Sequence, residues 1–267
     1  MSDAVPSSSA PSIVALRRVG KTFANAVVAL DRFDLAVRPG EFVTLLGPSG
    51  CGKSTALRLI AGLAAPTAGA IEWSDGAQDG RGARRRAIGF VFQEPTLMPW
   101  ATVSGNVHLP LKLAGLARTA AAPRVEEALG GVGLAEFAAA YPRELSGGMK
   151  MRVSIARALV TKPALLLMDE PFAALDEITR FRLANDLLRL WQALGKTVVF
   201  VTHSVFESVF LSNRVVVMTP RPGRVFAEIA IDAPYPRNES FRTSPEYAGF
   251  CRRVSQALAD AMAGGGA

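Results

Sequence analysis

The sequence predicts an α/β fold whose core is a largely parallel β-sheet. Three continuous apolar runs, at residues 42–46, 164–168 and 197–201, have the length and composition of strands that are buried on both faces. Between the last two runs, apolar residues recur at helical spacing over residues 178–194, and Gly195 follows as a helix stop. A strand, helix, strand order of this kind forms a right-handed crossover in a parallel sheet.

Length and composition indicate one core, or one core with an inserted subdomain. The chain has 267 residues, of which 49% are hydrophobic, and this composition excludes a disordered or fibrous protein. The two cysteines, Cys51 and Cys251, are too few and too far apart for a disulfide framework, so we expect a reducing compartment. The apolar runs are far shorter than the roughly 20 residues that a membrane-spanning helix needs. We therefore expect a soluble chain.

The charge balance is basic but not concentrated. Thirty Lys and Arg residues against 23 Asp and Glu residues give a formal charge of +7. The densest basic run is only Arg84, Arg85 and Arg86. A basic surplus is compatible with nucleic acid or with an anionic membrane surface, but a solvated basic face is the simpler interpretation.

Composition divides the chain into three parts. Residues 1–12, rich in Ser, Ala and Pro, lack the features of a secretory signal and are expected to be a disordered tail. Residues 13–230 form the main domain, with a mostly helical insertion at about 94–159 that is rich in Ala and Leu and is interrupted by prolines. Residues 231–267 are expected to be a short C-terminal tail, with a possible helix over residues 246–262 and a frayed glycine-rich end.

A phosphate-binding loop lies between the first of these strands and a helix predicted over residues 53–61. It matches G-x-x-x-x-G-K-[ST] with Gly47, Pro48, Ser49, Gly50, Cys51, Gly52, Lys53 and Ser54. The glycines let backbone N–H groups converge on phosphate oxygens, and the helix start adds the positive end of its dipole. We expect Lys53 to bind the β and γ phosphates and Ser54 to offer its hydroxyl to Mg²⁺. Cys51 occupies a variable position, so we assign it no redox role.

Two adjacent carboxylates follow the second strand. Asp169 and Glu170 come directly after the apolar run at residues 164–168, which places them at the carboxyl end of a buried strand, where ligands bind in α/β sheets. We expect Asp169 to be a partner of Mg²⁺ in its second coordination shell or through water, and Glu170 to orient or deprotonate an attacking water. A solvated acidic loop is the alternative, and the phosphate loop upstream makes it the weaker one.

A further motif makes the sequence resemble the ATP-binding subunits of ABC transporters. Residues 145–149 read Leu-Ser-Gly-Gly-Met, and the family signature is Leu-Ser-Gly-Gly-Gln, so the departure is at Met149. The resemblance implies an α/β P-loop NTPase fold of the ABC type, with a mixed sheet core, an antiparallel β edge subdomain and an inserted helical subdomain. It also implies that subunits pair head to tail, with each ATP and its Mg²⁺ held between residues 47–55 of one copy, including Thr55, and Ser146, Gly147 and Gly148 of the other. In any fold, Ser146 can cap the helix that we predict over residues 150–160.

Four more positions match this family in order along the chain. Gln93 matches the Q-loop, which implies a contact with Mg²⁺ and a role in catalysis, and His203 matches the switch histidine that holds the phosphate. Asp176 matches the D-loop at the dimer interface, although Ala173 stands where a Ser is usual. Phe23 resembles the aromatic residue that stacks on adenine. Without the resemblance, an isolated Phe, Gln or His is more often a packing or surface residue.

Three segments resemble the importer ATPases of the nitrate, sulfonate, taurine and bicarbonate group: residues 97–100, 149–152 and 218–224. Importers of pyrimidine thiamine precursors and of riboflavin share much of these segments and remain alternatives. The resemblance implies a homodimer, a transmembrane permease that docks on residues 93–106 around Trp100, and an external solute-binding protein. It further implies a peripheral location at the cytoplasmic face of the inner membrane.

Two other functional classes fit the sequence less well. A soluble ABC-type ATPase acting on nucleic acid or ribosomes generally carries two cassettes or long coiled-coil insertions, whereas this chain has one cassette and no sustained heptad pattern, so we expect no nucleic-acid partner. A P-loop kinase or GTPase is disfavoured by the signature and switch motifs and by the lack of an acceptor-binding lid.

Overall fold

Nine strands and eight α-helices make up residues 12–74 and 88–264, the part of the chain that the computed structural model describes. The strands are β1 (Val14–Thr22), β2 (Val28–Val37), β3 (Phe42–Leu46), β4 (Ala68–Trp73), β5 (Ile88–Val91), β6 (Leu165–Asp169), β7 (Thr197–Thr202), β8 (Arg214–Met218) and β9 (Val225–Ala230). The helices are α1 (Lys53–Ile60), α2 (Val103–Leu113), α3 (Arg118–Gly131), α4 (Gly147–Leu159), α5 (Glu177–Leu194), α6 (Val205–Leu211), α7 (Glu239–Arg242) and α8 (Pro245–Gly264).

The central sheet has the strand order β5-β6-β7-β3-β8-β9. Its first five strands run parallel and β9 pairs antiparallel with β8, which confirms the predicted mixed sheet. Every residue of β3, β6 and β7 is buried, as expected for strands that are covered on both faces. Leu46 pairs with Thr202, and Asp169 pairs with Val201. The segments that follow these three strands therefore emerge side by side at one edge of the sheet.

A smaller antiparallel sheet, in the order β2-β1-β4, forms the edge subdomain. One apolar cluster joins its inner face to α1 and to one face of the central sheet, with Leu30 and Phe33 from β2 packed together with Leu57 of α1. This packing fixes the β1–β2 hairpin, and with it Phe23, relative to the start of α1.

The insertion between β5 and β6 is helical, as predicted. It contains α2, α3 and α4 and two short 3₁₀ turns, at Ala135–Phe137 and Pro142–Glu144. Pro110 lies inside α2 and Pro123 lies inside α3, so these two prolines do not separate helices. We expected the helix after the signature motif to begin at residue 150, and this bound is wrong by one turn. The helix begins at Gly147 because the Ser146 side chain caps it.

Residues 231–264 pack against the central domain through α8, which corresponds to the helix predicted over residues 246–262. Four side chains of α8 are buried in the core next to α6 and the end of the sheet: Tyr247, Cys251, Val254 and Ala261. No helix among residues 12–74 and 88–264 has the length and apolar character that a membrane crossing requires. The expectations for residues 1–11, for the basic run at residues 84–86 and for residues 265–267 lie outside the described residues.

Candidate functional site

The phosphate loop encloses the ammonium group of Lys53. Its Nζ donates to the carbonyl oxygens of Gly47 at 2.8 Å and Pro48 at 3.0 Å, and lies 3.5 Å from Oε1 of Glu170. The side chain is only 4% exposed. A buried ammonium needs acceptors for all three of its donors. The Lys53 ammonium therefore holds the Gly47 and Pro48 carbonyls of the loop close to itself, with Glu170 as its third neighbour.

The two carboxylates after β6 have different surroundings. Asp169 is buried and accepts a hydrogen bond of 2.7 Å from the Ser54 hydroxyl. Burial raises the pKa of Asp169, and the hydrogen bond from Ser54 opposes that shift in part. Glu170 is more exposed, and its backbone N–H donates to the carbonyl of Val201 at 3.0 Å. The Glu170 backbone has a φ of 45°, an uncommon conformation for this residue type, and one that is often associated with functional sites.

His203 follows β7 and faces Glu170. Its Nδ1 lies 3.0 Å from Oε2 of Glu170, and half of the imidazole is exposed. The residues on either side of His203 are held in place, since the Ser204 backbone donates to the Thr202 hydroxyl at 3.0 Å and the Ser204 side chain caps α6. His203 is therefore positioned at the rim of the site, with one ring nitrogen on the carboxylate.

An open cavity of about 170 Å³ lies over the phosphate loop. Phe23 stands at one side with 43% of its surface exposed. The cavity combines an aromatic face, glycine backbone, hydroxyls and charged groups, which is the set that a nucleotide requires. Its lining residues are Phe23, Val27, Ala29, Gly50, Gly52, Lys53, Ser54, Thr55, Glu170 and Arg221.

Comparison with known proteins decides the family. The sequence model of the ABC transporter family matches residues 30–173, which is more than half of the chain. The chain belongs to the ABC transporter family. It is an ABC-type ATPase with the mixed sheet, edge subdomain and helical insertion described above.

Several ABC import proteins are close relatives along most of their length. A nitrate import ATP-binding protein of Synechocystis sp. is 44% identical over 252 residues, which cover 92% of this chain and 94% of the relative. A taurine import ATP-binding protein of Rhizobium johnstonii is 46% identical over 242 residues, or 89% and 90% of the two chains. An aliphatic sulfonates import ATP-binding protein of Bacillus subtilis is 43% identical over 225 residues, or 84% and 85%.

A solved ABC structure also resembles this cassette. It is an ATP-binding cassette in a dimeric, post-hydrolysis state bound to ADP and Pi, with a TM-score of 0.70 and 35% sequence identity. The match covers 83% of this chain and 100% of that chain. ABC cassettes of this fold thus bind adenine nucleotides.

The signature loop and the D-loop of the cassette contact each other, and neither lines the cavity over the phosphate loop. Ser146 caps α4, and Asp176 caps α5 by accepting from the Thr179 backbone at 2.9 Å, which lowers the pKa of Asp176. A Cβ added to Gly148 would lie 2.7 Å from Cγ2 of Thr179, so the two helix starts are in close contact. Gln93 is exposed after β5, and it too lies outside the cavity lining.

The cassette offers oxygen ligands to a divalent cation but not a complete site. The Ser54 hydroxyl and the Asp169 carboxylate are in direct contact, and hard oxygen donors of this kind are what Mg²⁺ prefers. Within residues 12–74 and 88–264, no group of three His, Cys, Asp or Glu side chains is arranged to hold a metal. These residues fit a Mg²⁺ ion that takes its other ligands from water and from nucleotide phosphates, as is usual for this ion.

Arg221 lines the cavity, although the sequence did not predict it as a site residue. It lies in the segment 218–224, which drew attention only as a resemblance to importers. One signal could have identified it. β8 is another apolar run followed by a polar turn, and the end of any strand parallel to β3 opens onto the edge where the phosphate loop lies.

Proposed function

We propose that this cassette is the ATP-hydrolysing subunit of an importer for a small solute of the nitrate, sulfonate, taurine or bicarbonate type. The observation that carries the hydrolytic role is the contact series Lys53, Glu170 and His203 beside the nucleotide cavity. The names of the nitrate, taurine and sulfonate import relatives support the transported class.

Hydrolysis in this proposal is a phosphoryl transfer from ATP to water. Lys53 and the backbone N–H groups of residues 47–55 hold the β and γ phosphates, and the Phe23 ring stacks on adenine. Glu170 orients the attacking water and accepts its proton, while His203 holds the γ-phosphate and fixes the Glu170 carboxylate. Ser54 and Asp169, with Gln93 as the further ligand that the Q-loop motif implies, would hold a Mg²⁺ ion, which would neutralise charge on the phosphates.

We further propose that two copies pair head to tail around two ATP molecules. In a single copy, the signature loop at Ser146, Gly147 and Gly148 contacts the start of α5 and leaves the open side of the cavity uncovered. A second copy supplies that missing side, with Asp176 at the interface. The dimeric state of the solved cassette with ADP and Pi supports this arrangement.

The permease is proposed to dock on the groove between α2 and α3. Trp100 projects at its rim with 77% exposure, and the loop that carries it is held by the buried Asn106 amide, which bonds to Met98 through both its oxygen and its nitrogen. The groove has a volume of about 500 Å³ and is lined by apolar side chains together with polar and charged ones, among them His108, Lys112, Arg118 and Glu126. Docking there would place the cassette at the cytoplasmic face of the inner membrane and couple it, through the permease, to an external solute-binding protein.

Reconstitution tests the importer function. The cassette is co-expressed with a permease of this importer class, placed in proteoliposomes with the solute-binding protein of that permease, and assayed for phosphate release and uptake. Nitrate, taurine, an alkyl sulfonate and bicarbonate are the expected stimulating solutes, and a pyrimidine thiamine precursor and riboflavin are the comparison solutes. ATP hydrolysis that no member of this panel stimulates, with no association between cassette and permease, would contradict the proposal.

A matched pair of variants tests the docking surface. Trp100→Ala should leave nucleotide binding by the isolated cassette intact and should weaken its association with the permease. Phe226→Ala removes an exposed aromatic side chain, 44% exposed against 77% for Trp100, from β9 outside the groove, and should leave association unchanged. Equal association of both variants with the permease would show that the groove is not the docking site.

A further inference from the structure

We propose that Arg221 is a nucleotide-binding residue that contacts the polyphosphate of ATP from the wall of the cavity formed by the loop after β8. This inference rests on the proposed function, because it takes the cavity over the phosphate loop as the ATP site. Arg221 lies in the segment 218–224, and this segment is not part of the phosphate loop, the Q-loop, the signature loop, the D-loop or the switch histidine.

Strand order places this segment beside the phosphate loop. β8 lies parallel to β3 and directly next to it, with Leu46 paired to Val217. Each strand is followed by a loop at the same edge of the sheet. The loop after β3 is the phosphate loop, and the loop after β8 carries Arg221, which is why residues 171 positions apart, Gly50 and Arg221, come into contact.

The guanidinium of Arg221 is anchored on the phosphate loop itself. Its Nε and Nη2 donate to the carbonyl oxygen of Gly50 at 3.1 Å and 3.0 Å. A guanidinium has five N–H donors, and the hydrogen bonds to Gly50 use two of them. The remaining donors lie on a group that lines the cavity, and a planar fork of this type is well matched to phosphate oxygens.

The backbone of the β8–β9 loop is fixed before any ligand arrives. Gly223 donates its N–H to the carbonyl of Ala29 at 2.9 Å and accepts from the backbone of Asp31 at 3.1 Å. A Cβ on Gly223 would lie 2.1 Å from the carbonyl oxygen of Cys51, so the loop is in direct backbone contact with the phosphate loop. Arg221 is thus presented to the cavity by a preorganised support, which lowers the entropic cost of using it to bind a ligand.

The charges of the cavity favour a polyanion. Lys53 is balanced by Glu170 at 3.5 Å, and Arg224 of the same loop is balanced by Asp31. Arg221, by contrast, forms no ion pair with a carboxylate in the described part of the chain, and its only hydrogen-bond acceptor there is the neutral Gly50 carbonyl. A cation without a counter-charge beside a phosphate loop adds to the field that attracts and holds the phosphates.

Four variants of the purified full chain test the role. Arg221→Ala removes charge and donors, Arg221→Gln keeps a donor for the Gly50 carbonyl without the charge, and Arg221→Lys keeps the charge. Arg38→Ala is the control, since it removes the same charge from an exposed position before β3, at the opposite end of that strand. Affinities for ATP and for inorganic tripolyphosphate are measured by competition against a fluorescent ATP analogue, and thermal unfolding without nucleotide confirms that each variant is folded.

We expect Arg221→Ala and Arg221→Gln to weaken both ATP and tripolyphosphate binding by about fivefold or more, the range of one partly screened, charge-assisted hydrogen bond. Arg221→Lys should lose less affinity for both ligands than Arg221→Ala does, and Arg38→Ala should bind both ligands as the wild type does. The loss of affinity in each Arg221 variant should become smaller as the salt concentration is raised.

Three results would overturn the proposal, and they are distinguishable. If Arg221→Gln binds ATP as tightly as the wild type while Arg221→Ala does not, the residue only supports the loop. If ATP binding weakens but tripolyphosphate binding does not, the contact is with the base or the sugar. If all variants bind ATP like the wild type, Arg221 has no role in binding. Failure of the wild type to bind ATP at all would instead reject the proposed function and this inference together.

Discussion

His203 and Glu170 meet through a 3.0 Å contact between Nδ1 of the imidazole and Oε2 of the carboxylate. The other oxygen of Glu170, Oε1, lies 3.5 Å from Nζ of Lys53. The Glu170 carboxylate therefore connects the phosphate loop to the end of β7, because one of its oxygens contacts Lys53 and the other contacts His203. Its orientation is set by both neighbours, and a fixed carboxylate of this kind is what the proposed role of Glu170 needs.

Replacing the carboxylate of Glu170 by an amide tests its proposed role. Glu170→Gln keeps the size of the side chain but removes the charge and the proton-accepting group, so ATP should still bind and a closed dimer should accumulate. Phosphate release should fall by at least about a hundredfold. Glu136→Gln, at an exposed position in the helical insertion, is the control. Unchanged phosphate release by Glu170→Gln would refute the role.

Removal of the Lys53 ammonium should affect binding more than the chemical step. Lys53→Ala leaves the carbonyls of Gly47 and Pro48 without their donor and takes away the charge that faces the β and γ phosphates. We expect ATP affinity to fall by at least about tenfold in isothermal titration. The exposed Lys162, replaced by Ala, should bind as the wild type does. If Lys53→Ala bound ATP as tightly as the wild type, the assignment of residues 47–54 as the phosphate-binding loop would be wrong.

Arg237 should contribute strongly to stability. Its buried guanidinium donates to five backbone carbonyls, those of Val209, Phe210, Ser212, Ile231 and Ala233. Arg237→Met fills similar volume but leaves these acceptors unpaired, so the free energy of unfolding should fall by about 2–4 kcal/mol. Urea unfolding measures the change, with the exposed Arg252→Met on α8 as the control. An equal decrease in the free energy of unfolding for Arg237→Met and Arg252→Met would show that the hydrogen bonds of Arg237 do not stabilise the fold.

Glu207 should make stability depend on pH. Burial raises the pKa of Glu207, against opposing contributions from the Thr202 hydroxyl and Arg180. Because the pKa is higher in the folded chain than in the unfolded chain, the folded chain holds the proton to higher pH. The stability linked to this carboxyl is present below the ordinary glutamate pKa and is lost as pH rises to the folded value.

Glu207→Gln should remove that dependence. The free energy of unfolding of the variant, relative to the wild type, should rise as pH is increased above the ordinary glutamate pKa of about 4.3. Urea unfolding at a series of pH values that starts near this pKa measures the difference, and for Glu136→Gln the difference from the wild type should not change with pH. A flat difference for Glu207→Gln as well would refute the assignment.

Much of the central sheet could be predicted because its strands are continuous apolar runs. The bounds of β3 match the prediction, and those of β6 and β7 differ by one residue. The meeting of Lys53, Glu170 and His203 was implied by the family resemblance, and the strand order explains it, since β3, β7 and β6 are neighbours whose ends share one edge. The antiparallel edge sheet came from the resemblance alone, because the pairing of β1 with β2 is irregular in register and the buried residues of β1 do not alternate, although those of β2 alternate over residues 32–37.

The residues that sequence analysis missed are cations that bind backbone carbonyls. Arg221 reaches Gly50, and Arg237 reaches the end of α6, across separations that no local pattern records. A carbonyl acceptor is present at every position of the chain, so the identity of the partner depends only on tertiary packing. Such contacts become visible only when the strand order is known.

The position of β3 in its sheet has a consequence for biosynthesis. Both of its hydrogen-bonded neighbours, β7 and β8, lie roughly 150 or more residues further along the chain. A nascent polypeptide leaving the ribosome therefore carries the mostly apolar β3 without a pairing partner until β7 and β8 have been synthesised. β3 can take its place in the sheet only after β7 and β8 have been synthesised, and strands that lack their partners for that long are prone to aggregation.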